Sequence, residues 1–291
     1  MNTRRANTHR WSGYVFAAPY LLLFTLFLVL PLLYGLGLSF FRWDMLSTRP
    51  AQFVGGENFN EAFADAYFWK ALVATLRFVA LSVPPIVAVA LLIAVAIHSV
   101  PHKRQAFYRA SYFLPTILTI SVVGILWRWF FNSEFGLFNA LLAPLSIKVP
   151  WITDADWAMP SLAFMTLWWT AGGPMIILLA GLQGIPVAYH EAAALDGATA
   201  GQRFWRITLP LLRPVLLFVV VLNIIGAFQV FGQVYMITRG GPELSTRTLV
   251  QYIYETAFQN YRMGYAATLS WLLFLIIAVF SVIQFRMMKE R

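Results

Sequence analysis

The polar side chains best placed to do chemistry in this 291-residue chain lie inside long apolar runs. Gln229 and Gln233 are four residues apart, about one helical turn, and Gly226 sits one turn before Gln229. Asn223 falls on another stripe of the same segment, rotated by roughly 120° at 100° per residue. Upstream, Trp168-Trp169-Thr170 precede Gly172-Gly173-Pro174, a sequence that kinks or breaks a helix. Aromatic faces beside carboxamides offer stacking surface and uncharged hydrogen-bond partners, the chemistry that suits a neutral sugar. Polar groups at such depth are costly in hydrocarbon and so mark candidate pathways. The same Asn and Gln residues also suit a second role, tying one span to another.

Other chemistries find little support. The chain has no Cys, which excludes disulfides, thiolate metal sites and a Cys nucleophile. Its four histidines, His9, His98, His102 and His190, lack metal-ligand spacing, so no metal site is expected. No nucleophile–base grouping stands out, and catalysis is not expected. None of the four Lys residues follows a Gly, so there is no phosphate-binding loop; ATP energy, if used, must enter from another chain. Arg77 lies roughly 10 Å into its span by helical rise, where it pairs, snorkels or meets a phosphate; Glu134 lies near the outer end of the next span.

The elements that must position these residues follow from composition. Hydrophobic residues make up 60% of the chain and charged residues 11%, with 16% aromatic; mean hydropathy is +0.69. Soluble domains carry about 25% charged residues, so this is an integral membrane protein in contact with lipid. A spanning helix needs roughly 20 apolar residues. Runs free of charge and His predict six helices, near 14–38, 71–97, 109–131, 159–183, 212–237 and 264–287, with a short N-terminus over 1–13. The first run is longer than a signal-peptide core and reads as an uncleaved helix. Twelve of the 21 Lys and Arg residues flank the ends that put both termini in the cytoplasm. Those juxtamembrane clusters explain the net charge of +9 without nucleic acid.

The segment 184–211 is too long to be a connector, since neighbouring helices are usually joined by 2–8 residues. Pro186 suits a helix start, and Tyr189–Asp196 is rich in helix formers. Gly197 can take positive φ and end that helix. A second short helix runs through Phe204-Trp205-Arg206-Ile207, and Pro210 and Pro214 then redirect the chain. The expected object is a cytoplasmic helix–turn–helix whose Ala192 and Ala193 allow close approach by another protein. An amphipathic segment on lipid headgroups is the alternative.

Glu191-Ala192-Ala193, Asp196-Gly197-Ala198, Phe204, Ile207, Leu209-Pro210 and Pro214 resemble the signature loop of permease subunits of bacterial binding-protein-dependent ABC importers. Within that family the chain is similar to the carbohydrate-uptake group, and to the first permease of maltose-type pairs. Phe53-Val54-Gly55 with Asn58-Phe59, Phe113-Leu114-Pro115, Gly181-Leu182-Gln183, Ile185-Pro186, Thr238 with Gly240-Gly241-Pro242, and Gly264-Tyr265-Ala266-Ala267 extend the resemblance from about Pro19 onwards. Gly56, Ala74 and His190 depart from the common pattern.

The resemblance implies an all-α, six-span type I importer permease that works by alternating access. It implies that 184–211 is a coupling loop docking on a dimer of ATP-binding subunits, with Glu191 making a polar contact, Ala192 and Ala193 packing closely, and Asp196 and Gly197 forming the turn. A second, non-identical permease and an extracytoplasmic solute-binding protein would complete the assembly. ATP and Mg would bind the partner ATPase, leaving this chain without a cofactor. The cargo would be a sugar or sugar-like solute such as an oligosaccharide, a polyol or glycerol phosphate. A secondary transporter driven by ion gradients would instead need charged residues in its central spans and internal repeats, and neither is visible. A membrane-embedded enzyme would need a catalytic constellation that is missing.

Overall fold

The computed structural model describes residues 5–47 and 50–289, so the flanking charges Arg4, Glu290 and Arg291 lie outside the described residues. The first apolar stretch forms α1 (Arg5–Phe24), a π-helical turn (Thr25–Val29) and α2 (Leu30–Leu38). Strands β1 (Phe41–Arg42) and β2 (Gln52–Phe53) pair antiparallel, and α3 (Glu57–Ala64) follows. The second stretch is one helix, α4 (Ala66–Ser99). The third is α5 (His102–Ile117) and α6 (Ile120–Phe130), bent by 89°, with α7 (Leu137–Leu142) after it. The fourth is α8 (Ala155–Thr170) and α9 (Gly172–Gln183), bent by 50°. Then come α10 (Val187–Leu195), α11 (Ala200–Arg203), a π-helical turn (Phe204–Thr208), α12 (Leu209–Phe228) and α13 (Gly232–Ile237). The chain ends with α14 (Leu249–Tyr254), a third π-helical turn (Glu255–Gln259) and α15 (Met263–Lys289). Among the described residues, four helices are long and apolar enough to cross a membrane, and six spans result if each bent pair counts once.

The helices depart from the simple six-span reading where prolines and tertiary bonds act. Two π-helical turns end two residues before a proline, at Pro31 and Pro210. Proline removes a donor and crowds the carbonyl four residues back, and a widened turn accommodates that. Consequently Pro210 and Pro214 do not separate a second loop helix from the fifth span: residues 200–228 run as one 29-residue helix. The third and fourth spans break beside each other. Thr116 Oγ1 donates to Trp169 O (3.1 Å), and Trp169 Nε1 donates to Leu118 O (3.1 Å). Each break thus satisfies backbone groups freed by the other, as an apolar environment demands.

The fifth span was expected to continue to 237, but α12 stops at Phe228. Buried Thr248 donates from Oγ1 to Val230 O (2.9 Å), satisfying a carbonyl exposed by the break. Beyond it, α13 lies tight on α6. A Cβ on Gly124 would come within 2.8 Å of Met236 Cβ, and one on Gly232 within 2.9 Å of Ile120 Cγ1. Small residues at such crossings let helices approach without hydrophobic drive.

The contacts divide the chain into two compact units, residues up to Asp65 with Ile253–Leu272, and Ala66–Tyr252 with the chain from Leu273 on. In the first, buried Asn58 donates from Nδ2 to Ser39 O (2.8 Å) and Phe41 O (3.0 Å). Arg262 grips Glu61 through both carboxylate oxygens at 2.7 and 2.8 Å, and Tyr265 donates to Asp65 at 2.7 Å. In the second, α4 packs on α8, α9 and α12. One core, around Phe78, Trp127, Phe131, Met159, Leu162 and Val234, lies towards α6 and α13. Another, around Ala90, Ala94, Met175, Leu178 and Leu212, lies towards the 184–211 loop.

Candidate functional site

Local chemistry shapes the loop at each step. At its root, a Cβ on Gly181 would come within 2.7 Å of Leu212 Cδ1, so α9 and α12 are closely apposed. Gln183 Nε2 donates to buried Gln105 Oε1 (3.4 Å), and Gln105 in turn donates to Val100 O (3.0 Å). Pro186 is extended (ψ 129°) and caps α10 rather than occupying its first turn. At the other end, Gly197 N donates to Ala194 O (3.1 Å) and Ala198 N to Ala193 O (2.9 Å), with Gly197 at φ +78°. That pair of bonds around a left-handed residue is a Schellman motif. Thr199 and Gln202 then form a reciprocal capping box, with Gln202 Oε1 accepting from Thr199 N (2.8 Å) and Thr199 Oγ1 accepting from Gln202 N (3.3 Å). The Thr-x-x-Gln spacing was readable in the sequence and marks the true start of the second limb.

The result is a stiff, protruding hairpin of helices. α10 has no buried residue; Glu191, Ala192, Asp196 and Gly197 are exposed and Ala193 is half-buried. Leu195 is 90% exposed and Val187 66% exposed, on a surface this chain leaves uncovered.

The second feature is a cavity of about 380 Å³ walled by α4, α8, α9, α12 and α13. Thr170, Asn223 and Gln233 line it, joined by Ser82, Thr166 and Phe78. Gly173 and Gly226 also line it, and a Cβ on either would meet no atom within 4 Å. Ser82, Thr166 and Thr170 donate to carbonyls of their own helices at 2.7–2.8 Å, which leaves hydroxyl lone pairs facing outward as acceptors. Asn223 Nδ2 donates to Val219 O (2.8 Å), and its carbonyl oxygen stays available. Gln233 makes no hydrogen bond to the described residues, so its whole carboxamide is available. No charged side chain of the described residues lines the cavity.

Three expected pathway residues lie elsewhere. Gln229 is the C-terminal cap of α12 and is exposed, because the break at Val230 removes the helical register that would align it with Gln233. Trp169 is engaged at the paired breaks, and Trp168 packs on Trp127 with ring centroids 5.4 Å apart. The aromatic wall of the cavity is Phe78 instead. Ser82 and Thr166, polar residues deep in apolar runs, carry the same signal that drew attention to Asn223. Arg77 approaches Asp156 at 4.0 Å, outside this cavity.

The family of binding-protein-dependent transport system inner membrane components matches residues 67–289. The chain is 35% identical to the lactose transport system permease protein LacF of Rhizobium radiobacter, over 99% of each protein. It is 32% identical to the sn-glycerol-3-phosphate transport system permease protein UgpA of Agrobacterium fabrum, over 96% of this chain and 94% of that one. In structure it is similar to a chain of a bacterial ABC transporter involved in the import of the acidic polysaccharide alginate, with TM-score 0.81, 25% identity and 96% of each chain covered. With the helices, the protruding loop and the matched segment in agreement, this chain belongs to the family of binding-protein-dependent transport system inner membrane components and is a multi-pass membrane transport subunit.

Proposed function

We propose that this chain is one of two non-identical permease subunits of an ATP-driven importer that moves a sugar or sugar-like solute across the inner membrane by alternating access. The carrying observation is the hairpin over 184–211: a helix with no buried face, closed by a Schellman turn and stapled at its root, is built to transmit force to a docked protein. On this reading Glu191 makes a polar contact with an ATPase subunit, Ala192 and Ala193 admit its surface closely, and Asp196 and Gly197 hold the turn. ATP and Mg belong to that partner, and this chain contributes no catalysis or cofactor. Arg203, Arg206 and Arg213 beside the loop support a cytoplasmic side for it, and with it for both termini. A solute-binding protein delivers cargo from the other side.

The cavity supports a polyhydroxylated cargo: its acceptors and carboxamides match hydroxyl groups without charge, and its size lies within the range of small-molecule sites. The names of LacF and UgpA support a sugar or glycerol phosphate as the solute class. An ion-driven transporter would place a carboxylate along the path, and the cavity lining has none. The test is a mild-detergent pull-down of the tagged chain from its native membrane, with co-purifying proteins identified by mass. Recovery of an ATP-binding subunit and a second six-span permease is expected; recovery of this chain alone across several detergents would overturn the proposal.

A further inference from the structure

At the end of α6 and α13, away from the 184–211 loop, lies a cleft of about 410 Å³ that the transport cavity does not use. Arg128 and Trp129 reach it from α6, Tyr235 and Arg239 from α13 and its exit, and Asn132 from the turn between α6 and α7. No carboxylate lines it. The guanidinium groups of Arg128 and Arg239 make no ion pair or hydrogen bond with the described residues, so two guanidinium forks share one cleft with no counter-charge. Asn132 spends its Oδ1 on the backbone N–H groups of Glu134 (2.9 Å) and Phe135 (3.1 Å), which leaves its amide as a further donor.

The backbone supplies a second, independent observation. Arg239 stands at φ +53°, immediately after α13, and its N–H donates to Val234 O at 2.8 Å. This is the helix-ending position where glycine is favoured and a bulky side chain is strained. Gly240 follows at once and would relieve the turn if the register moved by one. Strain of this kind persists where the side chain it positions has a use. A guanidinium beside a helix C-terminus offsets its carbonyl end, which accounts for the sign of the charge at Arg128 and Arg239 but not for the strained backbone at Arg239 or for the meeting of both guanidiniums in one cleft.

We infer that this cleft binds a phosphate group, held between Arg128 and Arg239 with the Asn132 amide as a third donor. One carboxylate is saturated by a single guanidinium fork, whereas a phosphate has oxygens enough for two. Trp129 and Tyr235 flank the charges with apolar faces that suit the glycerol or sugar carrying the phosphate. The group has two sources, a phospholipid headgroup or a phosphorylated solute.

The experiment uses the full chain purified in an uncharged maltoside detergent. Native mass spectrometry reads retention of phosphatidylglycerol against diacylglycerol, and equilibrium dialysis reads binding of inorganic phosphate. The principal variant is Arg239→Gly, which removes the guanidinium while relaxing the backbone and so is expected to melt at or above the wild-type temperature. Arg128→Gln is the second variant, and Lys148→Gln serves as a charge-matched control outside the cleft. Retention of phosphatidylglycerol but not diacylglycerol, weakened at least tenfold in both arginine variants and unchanged in Lys148→Gln, supports the site with a headgroup as its source. Binding of inorganic phosphate with the same variant pattern supports it with a soluble phosphate as its source. Failure of the wild type to hold either probe, or undiminished binding in Arg239→Gly, overturns the inference. Because neither readout requires an ATPase or transport, this result stands apart from that of the pull-down.

Discussion

Adjacent glycines at the break between α8 and α9 are expected to respond unequally to the same methyl group. A Cβ on Gly172 would fall 2.5 Å from Tyr112 O, 2.8 Å from Phe113 Cα and 3.0 Å from Thr116 Oγ1. Two of those atoms are backbone of α5, and non-bonded heavy atoms settle at about 3.5–4.0 Å. The Gly172→Ala variant must therefore push α5 back by roughly an ångström, at the joint where Thr116 and Trp169 cross-satisfy the two breaks. Overpacking of this kind costs about 1–3 kcal/mol. With two of the three contacts made to backbone, the cost falls towards the upper end of that range, and since replacing a helical glycine by alanine returns at most about 1 kcal/mol, the net loss is up to about 2 kcal/mol. For Gly173→Ala no atom beyond its chain neighbours lies within 4 Å; the helix gain of up to about 1 kcal/mol is opposed by the clash of the new Cβ with the ring of Pro174, which disfavours helical backbone before a proline, so the net change is close to zero. Thermal unfolding of the purified chain in detergent measures both. At roughly 2–4 °C per kcal/mol, Gly172→Ala should melt a few degrees below wild type, and Gly173→Ala close to it. A Gly172→Ala protein as stable as wild type, or the reverse order, would refute the close approach of α9 to α5. Enlarging the second substitution to Gly173→Leu should then lower solute uptake while melting close to Gly173→Ala, because the longer side chain enters the 380 Å³ cavity.

Gly197→Val forces a β-branched residue to φ +78°, a strain of about 1–2 kcal/mol in a loop that must keep its shape; uptake should be lost while the amount of chain in the membrane is unchanged, and normal uptake would remove the coupling assignment. Thr199→Ala deletes the capping box at a cost of about 1 kcal/mol, which should appear as faster hydrogen exchange over 199–208 with little change elsewhere. Gln233→Ala should reduce uptake or alter its selectivity, whereas Gln229→Ala should leave both unchanged, since only Gln233 lines the cavity; the opposite pattern would mean that α12 continues through 230 in the working protein.

The amino-acid sequence alone determined what depends on local chemistry or on solvent. Continuous apolar runs demand spanning helices, because only internally bonded backbone survives in hydrocarbon, and those runs are legible without any partner residue. The loop was equally legible: Pro186, the alanine-rich stretch, Gly197 at positive φ and the spacing of Glu191 to Pro214 are all local signals. The Gly172-Gly173-Pro174 break could be foreseen for the same reason, since glycine and proline alter their own backbone.

What only the tertiary structure decided is where the chain breaks without such a signal and which polar groups then meet. The interruption at Val230 has no proline to announce it; it is held by Thr248, eighteen residues away. That one bond shifts Gln229 out of register with Gln233 and turns an apparent polar stripe into a single cavity-facing carboxamide. Trp169, which looked available for stacking, is engaged by a carbonyl 51 residues distant. Ser82 on α4 and Thr166 on α8 come to line one cavity with Asn223 only because α4 packs against both α8 and α12. Periodicity assigns a residue to a face of its own helix, but which face borders a cavity is set by close packing among helices far apart in the chain, and that information resides in no single segment.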